Sequence, residues 1–215
     1  MTFEEFYGNI FGHEDWKSGW DLDDLAWELE DVQIAEYMLR TFRDSATLFK
    51  GRNPDQIGFG LYFLFNSHSS YWWNVRSKSV PQDLQVETVS AVGTLYTTYL
   101  DVVCDDFGRT PAANTNGFDK IDGFTYMMWD MSCIEGAAWS AGEEHLVEPI
   151  YNVLQTALNC KSVACQISGL HGLGHLHLTY PDRTELLVGE FINSGRARLP
   201  WVNEYAEQAF YGNVL

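Results

Sequence analysis

Four prolines constrain this chain more than any other feature. Pro54, Pro81, Pro181 and Pro200 each stand at or near the head of a run whose apolar residues recur three or four positions apart. Proline suits the first turn of a helix, where no backbone donor is lost, and breaks a helix from within. Asn53 is placed to cap the run opened by Pro54, and Gly195 closes the run opened by Pro181. Sustained alternation with period two is absent, which argues against a strand-rich fold. The pattern predicts an all-α chain of about eight to ten helices in antiparallel pairs.

Along the chain, Leu22, Leu25, Leu29 and Val32 predict a first long helix between Asp21 and Lys50, with Gly51 as its C-cap. The run Ile57 to Phe65 is apolar nearly all round and fits a buried helix or a strand. His68 to Ser79 reads as a polar-aromatic connection carrying Tyr71, Trp72 and Trp73. Pro81 opens a helix with the stripe Leu84, Thr88, Val92, Leu95, Tyr99 and Val103. The loop RTPAANTNG, Arg109 to Gly117, is the best internal break in what is otherwise a single helical-repeat domain over residues 1–215. Phe118 to Trp139 is aromatic and apolar, and is expected to be helical in its middle.

The C-terminal part is the most regular. Helices are expected over Glu143 to Asn159, over Ser162 to Thr179, from Pro181 with the stripe Leu186, Leu187, Phe191 and Ile192, and from Pro200, each about 18 to 19 residues after the last. Paired helices then repeat at about 37 to 38 residues, within the span of α-solenoid repeats. The stretch CQISGLHGLGHLHLTYPDRTELLVGEFINSG, Cys165 to Gly195, resembles the second helix and following turn of a HEAT-like repeat. Ser168, Gly169, Gly172 and Gly174 stand where small residues allow close helix packing, with Leu170, Leu173 and Leu176 filling the layer. The resemblance covers the last 75 residues or so, and glycines replace the alanines more usual there. It implies an αα-superhelix that presents a binding surface, and it carries over no catalytic residue.

Thirty acids face thirteen bases, a formal charge of −17. Residues 1–36 hold eleven of the acids and one base, Lys17. Such a surface repels nucleic acid and anionic membrane, and attracts a basic protein. No segment approaches the roughly 18 apolar residues of a membrane helix. The N-terminus lacks the basic start of a secretory signal, and no cysteine pair forms a CxxC, so reduced thiols in the cytoplasm are expected. Cys160 and Cys165 read as buried apolar thiols.

Two constellations could carry function. In the first, Trp16, Trp20 and Trp27 interleave with Asp21, Asp23, Asp24 and Glu28. Carboxylates and indole faces together can grip Lys and Arg, and helix capping explains only one or two of these acids. These seven residues are the expected partner-binding site. The expected partner is a basic protein, of the kind a toxin-neutralising immunity protein binds; the competing reading turns the tryptophans into the core and leaves a solvated acidic face.

The second constellation is His171-x3-His175-x-His177. His171 and His175 lie one helical turn apart and can share a metal, as in HExxH, but Gly-Leu-Gly stands where the glutamate base would be. His177 points about 200° away from His175, and Glu185 or Asp182 would be the third ligand. Packing histidines bonded to neighbouring backbone or carboxylates are the competing reading. Asp101 shares a helix face with Asp105, but neither EF-hand spacing nor any kinase, P-loop or G-x-S-x-G motif accompanies it. The expectation is therefore a protein-binding module without cofactor or enzymatic activity. A metal-dependent hydrolase using His171 and His175, and a generic scaffold, are the alternatives.

Overall fold

A computed structural model describes residues 1–12, 29–104 and 121–214. Every regular element among the described residues is helical, and no strand occurs there. The principal helices are α1 Phe3–Phe11, α2 Asp31–Arg43, α3 Pro54–Phe65, α4 Tyr71–Val75, α5 Gln82–Leu95, α6 Ile121–Met131, α7 Val147–Leu158, α8 Val163–Leu176, α9 Pro181–Ser194 and α10 Pro200–Phe210.

The helix starts follow the residues that predict them. Asn53 accepts a hydrogen bond from the Asp55 amide at 3.0 Å, with Pro54 in the first turn of α3. Pro181 and Pro200 open α9 and α10, and Gly195 ends α9 in the left-handed conformation at φ 64°. Thr2 and Glu5 close a reciprocal capping box at the head of α1. Ile57 to Phe65 is helix, its glycines tolerated because neighbours approach closely: a β-carbon on Gly60 would lie 2.3 Å from the Phe11 ring.

Three expectations need correction. The connection from His68 to Ser79 contains α4, whose Tyr71, Trp72 and Val75 are buried while Trp73 is exposed. The helix expected to run on to Lys50 ends at Arg43 and is followed by a separate turn, Ser45–Leu48. Leu186, counted in the apolar stripe of α9, is 61% exposed; Val188 and Phe191 face the core. The first turns of the expected Asp21 helix and the 109–117 loop lie outside the described residues.

One apolar core runs from Phe3 to Ala209. α3 packs on α6 and α5 on α7, so helices before and after the 105–120 stretch share that core. α8 is central, in contact with α6, α7, α9 and α10. A helix surrounded in this way is apolar all round and not merely striped. Of the fourteen residues of α8, every one except His175 is buried.

Glycine makes that crowding possible. A β-carbon on Gly172 would lie 2.4 Å from Leu154 Cδ2 and 2.9 Å from the Trp129 ring. The missing side chain lets α6 and α7 close on α8, which brings the last turn of α6 beside His171. After α5 the chain makes a π-helical turn, Tyr96–Leu100. It places the Tyr96 hydroxyl between α6 and α8, 3.1 Å from Trp129 Nε1, which donates to it, and 2.7 Å from Ser168 Oγ.

Candidate functional site

His171 and His175 project from α8 toward Asp130 in the last turn of α6. His171 Nε2 lies 2.9 Å from Asp130 Oδ2, and His175 Nε2 lies 3.2 Å from Asp130 Oδ1. The three side chains each offer a ligand atom, all within 4.8 Å of one another. Their exposure is graded: the His171 side chain is fully buried, His175 is 23% exposed and Asp130 28%. The cluster is closed at His171 and open to solvent at the other two.

Each imidazole is held from behind through Nδ1. His175 Nδ1 is 3.5 Å from Glu135 Oε1, and Glu135 is itself buried. His171 Nδ1 pairs with the Tyr205 hydroxyl from α10, whose ring stacks parallel to the imidazole. Tyr205 in turn lies 3.4 Å from the Tyr126 hydroxyl, one turn before Asp130 on α6. Both Nε2 atoms therefore face Asp130, and both Nδ1 atoms face an oxygen.

Glu135 opens the short 3-10 turn Glu135–Trp139, and Arg76 pins that segment. The Arg76 guanidinium donates to the Cys133 carbonyl, to Ser140 Oγ at 3.1 Å, and to both carboxylate oxygens of Glu143 at 2.6 and 3.2 Å. Such a forked, buried arginine fixes the geometry of what it holds.

Electrostatics follow from this packing. Burial pushes the Asp130 carboxyl up, but the adjacent His171 and His175 imidazoles outweigh it and hold Asp130 well below the usual carboxylate range. Burial opposes the charged form of His175, yet the carboxylates of Asp130 and Glu135 win and raise it to about 9. Burial drives the Tyr205 hydroxyl far above its ordinary value, so it remains a neutral donor and acceptor.

His171 Nε2 is the atom that stands out. It is buried and pairs with Asp130 Oδ2 at 2.9 Å, but is not aligned for a linear hydrogen bond to it. A ring N–H aimed at Asp130 would be bonded at that distance. Two ligands that converge on a common third point sit close without pointing at each other. Ligand atoms about 2.0 to 2.2 Å from one tetrahedral zinc ion lie roughly 3.3 to 3.6 Å apart, slightly beyond both imidazole–carboxylate separations, so the side chains would open a little to admit the ion.

Glu185 is not the third ligand, because it faces His177 Nε2 at 3.2 Å. That pair lies across the α8–α9 turn, on the side of α8 that the rotation of about 200° predicts. Asp182 is exposed in the first turn of α9 and is not in the cluster. Asp130, Glu135, Tyr126 and Tyr205 were not singled out from the sequence. A signal for Asp130 exists: a carboxylate in the last turn of a helix opposes the helix dipole and needs a cation nearby.

The other expected site residues, Trp16, Trp20, Asp21, Asp23, Asp24, Trp27 and Glu28, lie outside the described residues, as do Asp105 and Asp106. Asp101 also groups with Cys160 and Cys165. However, its carboxylate accepts the Lys161 and Ser162 amides at 2.6 and 2.7 Å, which caps the entry to α8. Both of these cysteines are buried, as expected. No protein-family model, curated protein or solved structure matches the chain.

Proposed function

We propose that this chain is a metal-binding helical protein, its divalent ion held by Asp130, His171 and His175. The observation that carries the reading is the convergence of the Asp130, His171 and His175 ligand atoms within 4.8 Å of one another, with the buried His171 Nε2 out of line with the carboxylate it pairs with. Two imidazoles and a carboxylate suit zinc or a neighbouring divalent transition ion. The support behind each ring has the form that orients metal-bound histidines, an oxygen on the nitrogen that does not face the ion. With both imidazoles neutral as ligands, Asp130 and Glu135 supply −2, and the ion must displace the proton that these carboxylates hold on His175. Calorimetric titration of the EDTA-treated chain with Zn2+ tests the reading. One equivalent should bind and survive dialysis, and Asp130→Asn and His171→Ala/His175→Ala should each lose it. Failure of the unaltered chain to retain zinc would retire the proposal.

A second reading, an acidic immunity-type protein that docks a basic partner, is favoured by the charge of −17 and by its concentration in residues 1–36. We read the scaffold as a HEAT-like stack. In its favour, α7 and α8, and α9 and α10, are neighbouring helices joined by connections of four and five residues, short enough to fold them back antiparallel. The four free cysteines support a reducing compartment such as the cytoplasm. No described helix is long and apolar enough to cross a membrane.

A further inference from the structure

Resting on that metal reading, we infer that the ion is catalytic: it activates water to hydrolyse an uncharged or cationic carboxylic ester or amide. Structural zinc sites are closed by four protein ligands, whereas catalytic sites use three and leave a position for water. Here three groups converge among the described residues. Glu135 and Tyr205 each sit on the Nδ1 side of a ring whose Nε2 faces Asp130. Asp130 and His175 are 28% and 23% exposed, so water and substrate can reach an ion held there from their side.

Charge narrows the substrate. Asp130 and Glu135 already balance a divalent ion, and the chain as a whole carries −17. A phosphate ester or free carboxylate would meet repulsion, with no arginine or lysine among the described residues that contact the cluster. A neutral acyl group meets none, and a cationic one is attracted. Two large apolar side chains, near the cluster in sequence, are exposed. Trp139, 55% exposed, ends the 3-10 turn that Glu135 opens; four residues of such a turn span roughly 8 Å. Leu178, 92% exposed, follows His175 by three residues. They offer a platform for the acyl or leaving group.

In the step itself, a bound water whose pKa falls to about 7 gives its proton to solvent. The resulting hydroxide forms a bond to the carbonyl carbon. The carbon–oxygen or carbon–nitrogen bond to the leaving group then breaks, and the leaving alkoxide or amine takes a proton from solvent. Ester plus water becomes acid plus alcohol, with no further reactant. Glu135 is a positioning residue that holds the His175 ring.

The test uses the full chain loaded with one equivalent of Zn2+, and two probes. One is p-nitrophenyl acetate, a neutral ester; the other is bis(p-nitrophenyl) phosphate, an anionic diester. Bound zinc is measured in the same samples. The expected result is acetate hydrolysis at least tenfold above the zinc-free chain, with a rate that rises through one ionisation near pH 7. The phosphate diester should show a smaller enhancement over the zinc-free chain. Trp139→Ala should raise KM for the ester more than it lowers kcat. Stoichiometric zinc with no enhancement would overturn the catalytic inference and leave the metal site standing. A larger enhancement with the diester would overturn the substrate class. Loss of zinc binding altogether would remove both.

Discussion

His175 is the single residue of α8 that is not buried, and its imidazole is held protonated by the carboxylates of Asp130 and Glu135. In the metal-free chain its raised value, about 9 against an ordinary 6.5, links folding to pH. The folded state binds the proton more tightly, so the stabilisation is fully present below pH 6.5 and is lost as pH rises toward 9. Asp130 runs the other way. Its carboxyl is depressed below the ordinary 3.8, so its contribution holds above that pH and is lost as pH falls further. The two shifts describe one set of contacts and do not add. Urea midpoints of the EDTA-treated chain should therefore be flat between about pH 4 and 6.5 and decline by pH 9. His175→Ala should remove most of the alkaline decline; an equal decline in the variant would place its cause elsewhere. Glu135→Gln keeps the size of the side chain but weakens its hold on His175 Nδ1. Loss of such a partner costs about 10- to 100-fold in metal affinity, and a zinc titration that shows no change would remove Glu135 from the centre.

At the scale of elements, the glycines of α8 decide whether α6 can deliver Asp130. Gly172→Ala forces a methyl against Leu154 and the Trp129 indole, with Trp129 adjacent to Asp130 in the chain. Overpacking of this kind costs about 1 to 3 kcal/mol. Because the displaced residue neighbours a ligand, zinc affinity should fall together with the denaturation midpoint; a tighter-packed variant with unaltered zinc binding would show that α6 is positioned independently of this contact. Leu173→Ala, at a fully buried position on the same helix, should cost roughly 2 to 5 kcal/mol. These elements differ in how far the sequence disclosed them. The prolines at 54, 181 and 200 mark helix starts directly, since φ and the missing donor act locally. α4 was hidden, because YWWNV has neither cap nor period long enough to register in five residues. The His171–His175 pair was legible from i,i+4 spacing alone, yet its third member was not. Asp130 is 41 residues upstream, and what joins it to the histidines is the packing of α6 on α8, which no local pattern encodes. Arg76 and Glu143 lie still further from legibility, as their fork spans 67 positions.

Over the whole molecule, charge is the property that composition predicts without knowledge of the fold. The formal charge is −17, and only thirteen lysines and arginines are available to offset thirty acids. Several of those cations are committed. Arg76 is buried against Glu143, Arg183 holds Glu148 at 2.7 Å, and Arg40 reaches Glu4 at 3.3 Å. The excess acids must crowd one another more in the compact chain than in the unfolded one, so self-repulsion opposes folding. Salt shortens its reach, from about 30 Å at 0.01 M to about 8 Å at 0.15 M. Exposed ion pairs lose little by this, because they contribute little at any ionic strength. The thermal midpoint of the zinc-free chain at neutral pH should therefore rise as NaCl increases over that range. Zinc should diminish the rise, since a bound divalent ion, after displacing the His175 proton, removes one unit of the excess where Asp130 and Glu135 concentrate it. Differential scanning calorimetry at three salt concentrations, with and without zinc, reads both effects. A midpoint that falls with salt would mean that local pairs, and not net repulsion, set the balance. The acidic surface would then be locally compensated, and attraction of a basic partner would lose its long-range driving force.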